Sequence, residues 1–117
     1  MPPLTDEQPM FMFRVLVEFD SGYNVFVARC LETGSVATAD DEDTVEDMIA
    51  ELLDDEVTFA LDNDNLANLY SSPAPFYVWR QFRAAQLEGV QRKPVHRAIR
   101  ARNAEEVPTE ITMARAA

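Results

Sequence analysis

The sequence has little cysteine, little glycine, one histidine and few basic residues. A single cysteine, Cys30, excludes an internal disulfide framework and any cysteine-rich metal site. Three glycines, Gly22, Gly34 and Gly89, leave no glycine-rich loop to cradle a phosphate. No apolar run approaches the roughly 18 residues of a membrane span. The opening MPPLTDEQPMFMF carries acids where a signal peptide wants a basic region. A soluble, cytoplasmic protein is therefore expected. Lys and Arg number 10 against 21 Asp and Glu, a formal charge of −11. That balance argues against the whole chain binding nucleic acid, because neutralising phosphates takes basic side chains. It points to a basic protein partner, a cation or plain solubility.

What is present is enough for one ordinary domain: 117 residues, 47% of them hydrophobic. The charge is divided along the chain. Residues 1–70 hold 17 acids and two bases, Arg14 and Arg29, whereas residues 71–117 hold eight bases and four acids. The break falls at Ser71-Ser72-Pro73-Ala74-Pro75, where closely spaced prolines favour an extended linker. This reads as an acidic module over 1–70 and a basic extension over 71–117, packed on the module or partly mobile.

Phe11, Phe13, Val15, Val17 and Phe19 alternate with Met12, Arg14, Leu16 and Glu18, the period of a strand. Asp20-Ser21-Gly22 supplies turn chemistry, and Tyr23–Cys30 alternates again, so a hairpin is expected. Ser35–Asp40 is a short third strand. Val45, Met48, Ile49, Leu52, Leu53, Val57, Ala60 and Leu61 then recur at helical spacing. Thr44 with Asp47 reads as a capping box at the start of this helix, and Asn63-Asp64-Asn65 closes it. The expected fold is α+β: a three-stranded antiparallel meander with one amphipathic helix packed on it. Both faces of the hairpin carry large apolar groups, and one helix buries only one of them. The second face is expected to be covered by another subunit or by Phe76, Tyr77, Trp79 and Phe82, which fall in a short helix over Phe76–Leu87 after Pro75. Val95–Glu106 has the spacing of a further helix and Glu110–Ala114 that of a strand.

The order hairpin, third strand, acid-capped helix resembles the HicB-like family of antitoxin-type proteins with a partial ribonuclease-H-like fold. The likeness rests on Gly22-Tyr23, on Val27-Ala28-Arg29-Cys30-Leu31-Glu32, on Val36-Ala37-Thr38-Ala39 and on Asp43-Thr44-Val45-Glu46-Asp47, within residues 11–65. It implies a non-catalytic protein that neutralises a small basic, RNA-cleaving toxin. Many family members also bind operator DNA through a separate C-terminal module. This chain has Asp40-Asp41-Glu42 where the family usually has glycine. Pro73, Pro75 and Pro94 interrupt its C-terminal part, in which no recognition helix is evident.

Between Asp40 and Asp64 there are 12 acids and no base. This face is the expected docking surface for a basic partner, with Glu46, Asp47, Asp54 and Asp55 as the residues that carry it. A merely solvated face is the plainer alternative, but like charges four apart oppose the helix. Asp40–Asp47 lacks the glycine and terminal glutamate of an EF-hand loop, so no metal is expected there. Nuclease chemistry would need several carboxylates converging on cations, and only Glu18 and Asp20 share a strand face. Cys30 inside a strand is more often a small buried hydrophobe than a nucleophile, and a pairing with His96 would need the tail to fold back. No cofactor is expected. The basic segment Arg92, Lys93, Arg97, Arg100 offers the alternative reading, a small nucleic-acid-associated regulator. Its other reading is a clamp, within or between chains, on the acidic helix. Self-association as a homodimer or larger homo-oligomer is expected.

Overall fold

The computed structural model describes residues 10–88, 90–91, 95–100 and 106–116. The hairpin forms as its alternation requires: β1 (Phe11–Asp20) pairs antiparallel with β2 (Val25–Cys30), and β2 with β3 (Val36–Ala39). The turn between β1 and β2 is held by Asp20, whose Oδ1 accepts the backbone N–H groups of Gly22 and Tyr23. Asn24 takes the positive φ of this turn, a conformation asparagine tolerates better than most residues.

After β3 the chain enters α1 (Glu42–Asp62). The cap is Asp41 rather than Thr44. The Asp41 carboxylate accepts both the backbone N–H and the hydroxyl of Thr44, so the helix begins earlier than the Thr44–Asp47 pattern suggested. Asp41 and Glu42 are thus this helix's own start. Asn63 closes the helix, its backbone and side-chain amides both donating to the Phe59 carbonyl. A short α2 (Leu66–Leu69) follows, and Pro75 precedes α3 (Phe76–Glu88).

The sheet is larger than a three-stranded meander with one helix. Among the described residues it has six strands in the order β3-β2-β1-β6-β4, with β5 also paired to β6. The added strands, β4 (Val90–Gln91), β5 (Val95–Arg100) and β6 (Glu106–Arg115), come from the C-terminal part of the chain. β6 runs parallel to β1, from Phe11 opposite Thr109 to Val17 opposite Arg115, and so lies inside the sheet. The charge boundary at residue 70 is not a boundary of the sheet. Over Val95–Arg100 the expected helix is replaced by a strand. Val95 and Ile99 fit either period, and the antiparallel ladder to β6, with Val95 opposite Ile111 and Ile99 opposite Val107, decides for the strand.

Each face of the sheet carries a helix layer. Phe11, Phe13, Val15 and Val17 of β1, with Ala28 and Cys30 of β2 and Ile111 and Met113 of β6, pack under Val45, Ile49, Leu53 and Val57 of α1. On the other face Leu16, Leu31 and Ala114 meet Val78, Phe82 and Ala85 of α3, with Trp79 against them. The second apolar face is therefore covered from within the chain. Phe82 and Trp79 take the covering role, but Phe76 and Tyr77 point outward and are exposed. Arg14 ties this layer together: its Nε lies 2.6 Å from Glu32, and its guanidinium sits 4.7 Å from the Trp79 ring centre. The Trp79 indole N–H donates to the Ala74 carbonyl.

The proline-rich stretch before α3 is docked against the β2–β3 turn. Ala74 N–H donates to the Leu31 carbonyl, and the Ser72 carbonyl passes over Gly34. Gly34 has φ +78°, and a Cβ there would stand 2.1 Å from the Ser72 oxygen. Gly34→Ala is expected to cost on the order of 2–3 kcal/mol. The check is the midpoint and slope of urea unfolding: the midpoint falls and the slope stays.

Candidate functional site

A helix lying on a sheet divides its residues by angle, and α1 does so with acids on both sides. Asp43, Asp47, Glu51 and Asp55 recur every fourth residue and are all exposed, a single row of carboxylates along the outer face. Among the described residues none of these four forms an ion pair. Each neighbouring pair opposes the helix electrostatically, and Asp62 in the last turn stands at the negative end of its dipole.

Of the four residues expected to carry docking, Asp47 and Asp55 stand in this row and Asp54 is half-buried at its flank. Glu46 is placed differently. It is half-buried on the side of α1 that turns toward the sheet, near Arg115. A hundred degrees of turn per residue puts position 46 between buried Leu53 and buried Val57, which excludes it from the outer face. Arg115 pairs with Glu42 at 3.0 Å and lies over the Phe26 ring, pinning the first turn of α1 to the end of β6. Glu51, which the sequence reading passed over, belongs to the outer row; its spacing of four from Asp47 and Asp55 was the available signal.

At the other end of α1 the row meets a cleft of about 480 Å³ between the helix, α2 and the β2–β3 turn. Asp55, Glu56, Phe59 and Leu69 line it together with Ser35, Asn65 and Asn68. The Ser35 hydroxyl donates to the Glu56 carboxylate, 2.6 and 2.7 Å from its two oxygens, and Thr33 Oγ1 lies 2.7 Å from the same hydroxyl. Glu56 is thus fixed at the cleft wall, whereas Asp55 and the exposed Phe59 ring form its open rim. Acid, amide and hydroxyl groups around an aromatic ring suit the end of a basic side chain, its stem on carbon and its head on carboxylate.

The remaining candidates are engaged elsewhere. Glu18 pairs with Arg29 at 3.4 Å, and Asp20 holds its turn. Among the described residues no three of His, Cys, Asp and Glu gather as metal ligands would. Cys30 is buried on the α1 face, and burial pushes its thiol up to about 11. His96 alternates with Val95 and Ile99, which face α1, so it occupies the opposite face of the sheet and cannot meet Cys30. Arg92 and Lys93 lie outside the described residues; Arg97 and Arg100 belong to β5, opposite Thr109 and Glu106 of β6. No helix of the described residues is long and apolar enough to cross a membrane.

Two outcomes follow. Burial, aided by Asp43 and Asp47 and opposed by Arg115, raises the Glu46 carboxyl. A raised folded value means that the native state holds the proton more tightly, so ionised Glu46 lowers stability above the ordinary glutamate range. Glu46→Gln is expected to raise the melting temperature at neutral pH, with the gain vanishing as the pH falls below that range. For Cys30, a thiol-specific reagent added to native protein is expected to react only at the rate of unfolding, and at once in denaturant.

Compared with protein-family models, curated proteins and solved structures, the chain matches none of them.

Proposed function

We propose that this is a non-catalytic interaction protein, HicB-like and antitoxin-like in role, whose acidic α1 face receives a small basic protein. The observation that carries this reading is the outer row Asp43, Asp47, Glu51, Asp55, exposed over three turns and ending at the cleft rimmed by Phe59. Like charges in that arrangement work against the helix that bears them, and a basic surface laid along the row removes the repulsion. The cleft adds a place where one long cationic side chain anchors, giving a directional end to an otherwise diffuse attraction. The order of β1, β2, β3 and α1 that the family resemblance calls for supports the family part of the reading.

Such a complex forms quickly at low ionic strength and weakens as salt rises, because most of the charges lie at solvent-exposed positions. The test begins with a native pull-down at low and high salt, followed by purification of the basic protein retained only at low salt. Titration calorimetry then compares the wild type with Asp47→Asn/Glu51→Gln/Asp55→Asn. A loss of about tenfold or more in affinity is expected from removing three interfacial charges. An unchanged affinity for the triple variant overturns the assignment of this face.

A further inference from the structure

The outer face of α3 is the chemical complement of the outer face of α1. Phe76, Arg80, Arg83 and Leu87 all project away from the sheet, opposite buried Val78, Phe82 and Ala85. Phe76 is 74% exposed and Leu87 76%, and the Arg80 guanidinium lies 5.6 Å from the Phe76 ring centre. On α1 the corresponding row is Met48, Glu51, Asp55 and Phe59, with Met48 42% and Phe59 62% exposed. In both helices two apolar residues eleven positions apart, about 16 Å along the axis, bracket two charged ones. The bracketed charges are negative on α1 and positive on α3. At 3.6 residues per turn each set of four falls within roughly a quarter of its helix circumference, so each forms one face.

We infer that a second copy of this chain docks here, α3 of one molecule lying along α1 of the next. Set antiparallel, the rows pair Phe76 with Phe59, Arg80 with Asp55, Arg83 with Glu51 and Leu87 with Met48. One molecule cannot make this contact with itself, because α1 and α3 cover opposite faces of its sheet. For the same reason two molecules cannot make it reciprocally in a closed pair. The contact is heterologous and propagates head to tail into a chain or ring. A single helix-on-helix contact falls below the ~1,200–2,000 Å² of a standard stable interface, so the association is weak and concentration-dependent. The inference rests on the α1 outer row being a docking face, and it makes α3 of a neighbour a competitor of any basic partner for that row.

The test is a charge exchange read by sedimentation velocity across a concentration series at low and high salt. Wild-type protein is expected to sediment faster as concentration rises, an effect lost at high salt. Arg80→Glu/Arg83→Glu alone and Glu51→Arg/Asp55→Arg alone are each expected to remain monomeric, and an equimolar mixture of the two to associate again. Circular dichroism establishes that each variant is folded, and Phe76→Ser/Leu87→Ser supplies a further disruption without charge reversal. Monomeric wild type throughout, association retained in either reversal, or a mixture that stays monomeric overturns the inference. Binding of the basic partner separates the two readings. If Glu51→Arg/Asp55→Arg loses the partner but self-association survives, the docking face stands and the self-contact fails. If it loses self-association but keeps the partner, the self-contact stands and the proposed partner face fails.

Discussion

A strand with large apolar side chains on both faces has to be covered twice, and β1 imposes that requirement on everything around it. Phe11, Phe13, Val15 and Val17 need one layer and Leu16 another, so α1 and α3 lie on opposite sides of the sheet. Its hydrogen-bonding edges are equally demanding: β2 satisfies one from Val15 onward, and β6 the other from Phe11 to Val17. With both faces and most of both edges occupied by the same chain, β1 becomes the axis about which the remaining elements are arranged.

The acids of α1 follow from this arrangement in two classes. Of those turned toward the sheet, Glu42 with Arg115 at the start of the helix and Glu56 with Ser35 farther along it act as fasteners, whereas burial of Glu46 works against its ionised form. Those turned away have no such role in the fold, and their mutual repulsion is a cost that the apolar stripe of Val45, Ile49, Leu53 and Val57 offsets. A helix held by its inner face can carry an outer face chosen for something other than stability. That is why the proposed docking face is the outer row, and not the total acidity.

Local pattern was enough for β1, β2, β3, α1 and α3, because each has a period that burial on one or two faces enforces. The expectation that the second sheet face needs covering also came from alternation, which left a second subunit and the aromatics of α3 as alternatives; Phe82 and Trp79 take the role. The C-terminal strands were less legible. β6 interrupts its apolar alternation with Thr109 and contains Pro108, both of which weaken a strand reading, and its partner β1 lies at the far end of the sequence. β5 is ambiguous between periods until β6 is there to pair with it. At the site, the acidic face was plain, but which acid faces outward depended on where the helix axis lies over the sheet. Glu46 was misplaced and Glu51 missed for that reason.

The parallel pairing of β1 with β6 has a consequence for how the molecule is made. Nearly a hundred residues separate Phe11 from its partner Thr109, and synthesis delivers them in that order. While the intervening chain emerges, β1, with seven apolar residues, has an open edge, and neither helix layer has its complete floor. Strands in that condition are the usual seeds of aggregation. The segment exposed during this interval is also the one with 17 acids against two bases in its first 70 residues. Like-charged nascent chains repel one another, so the acidity of the early sequence protects the unfinished sheet until its last strand arrives.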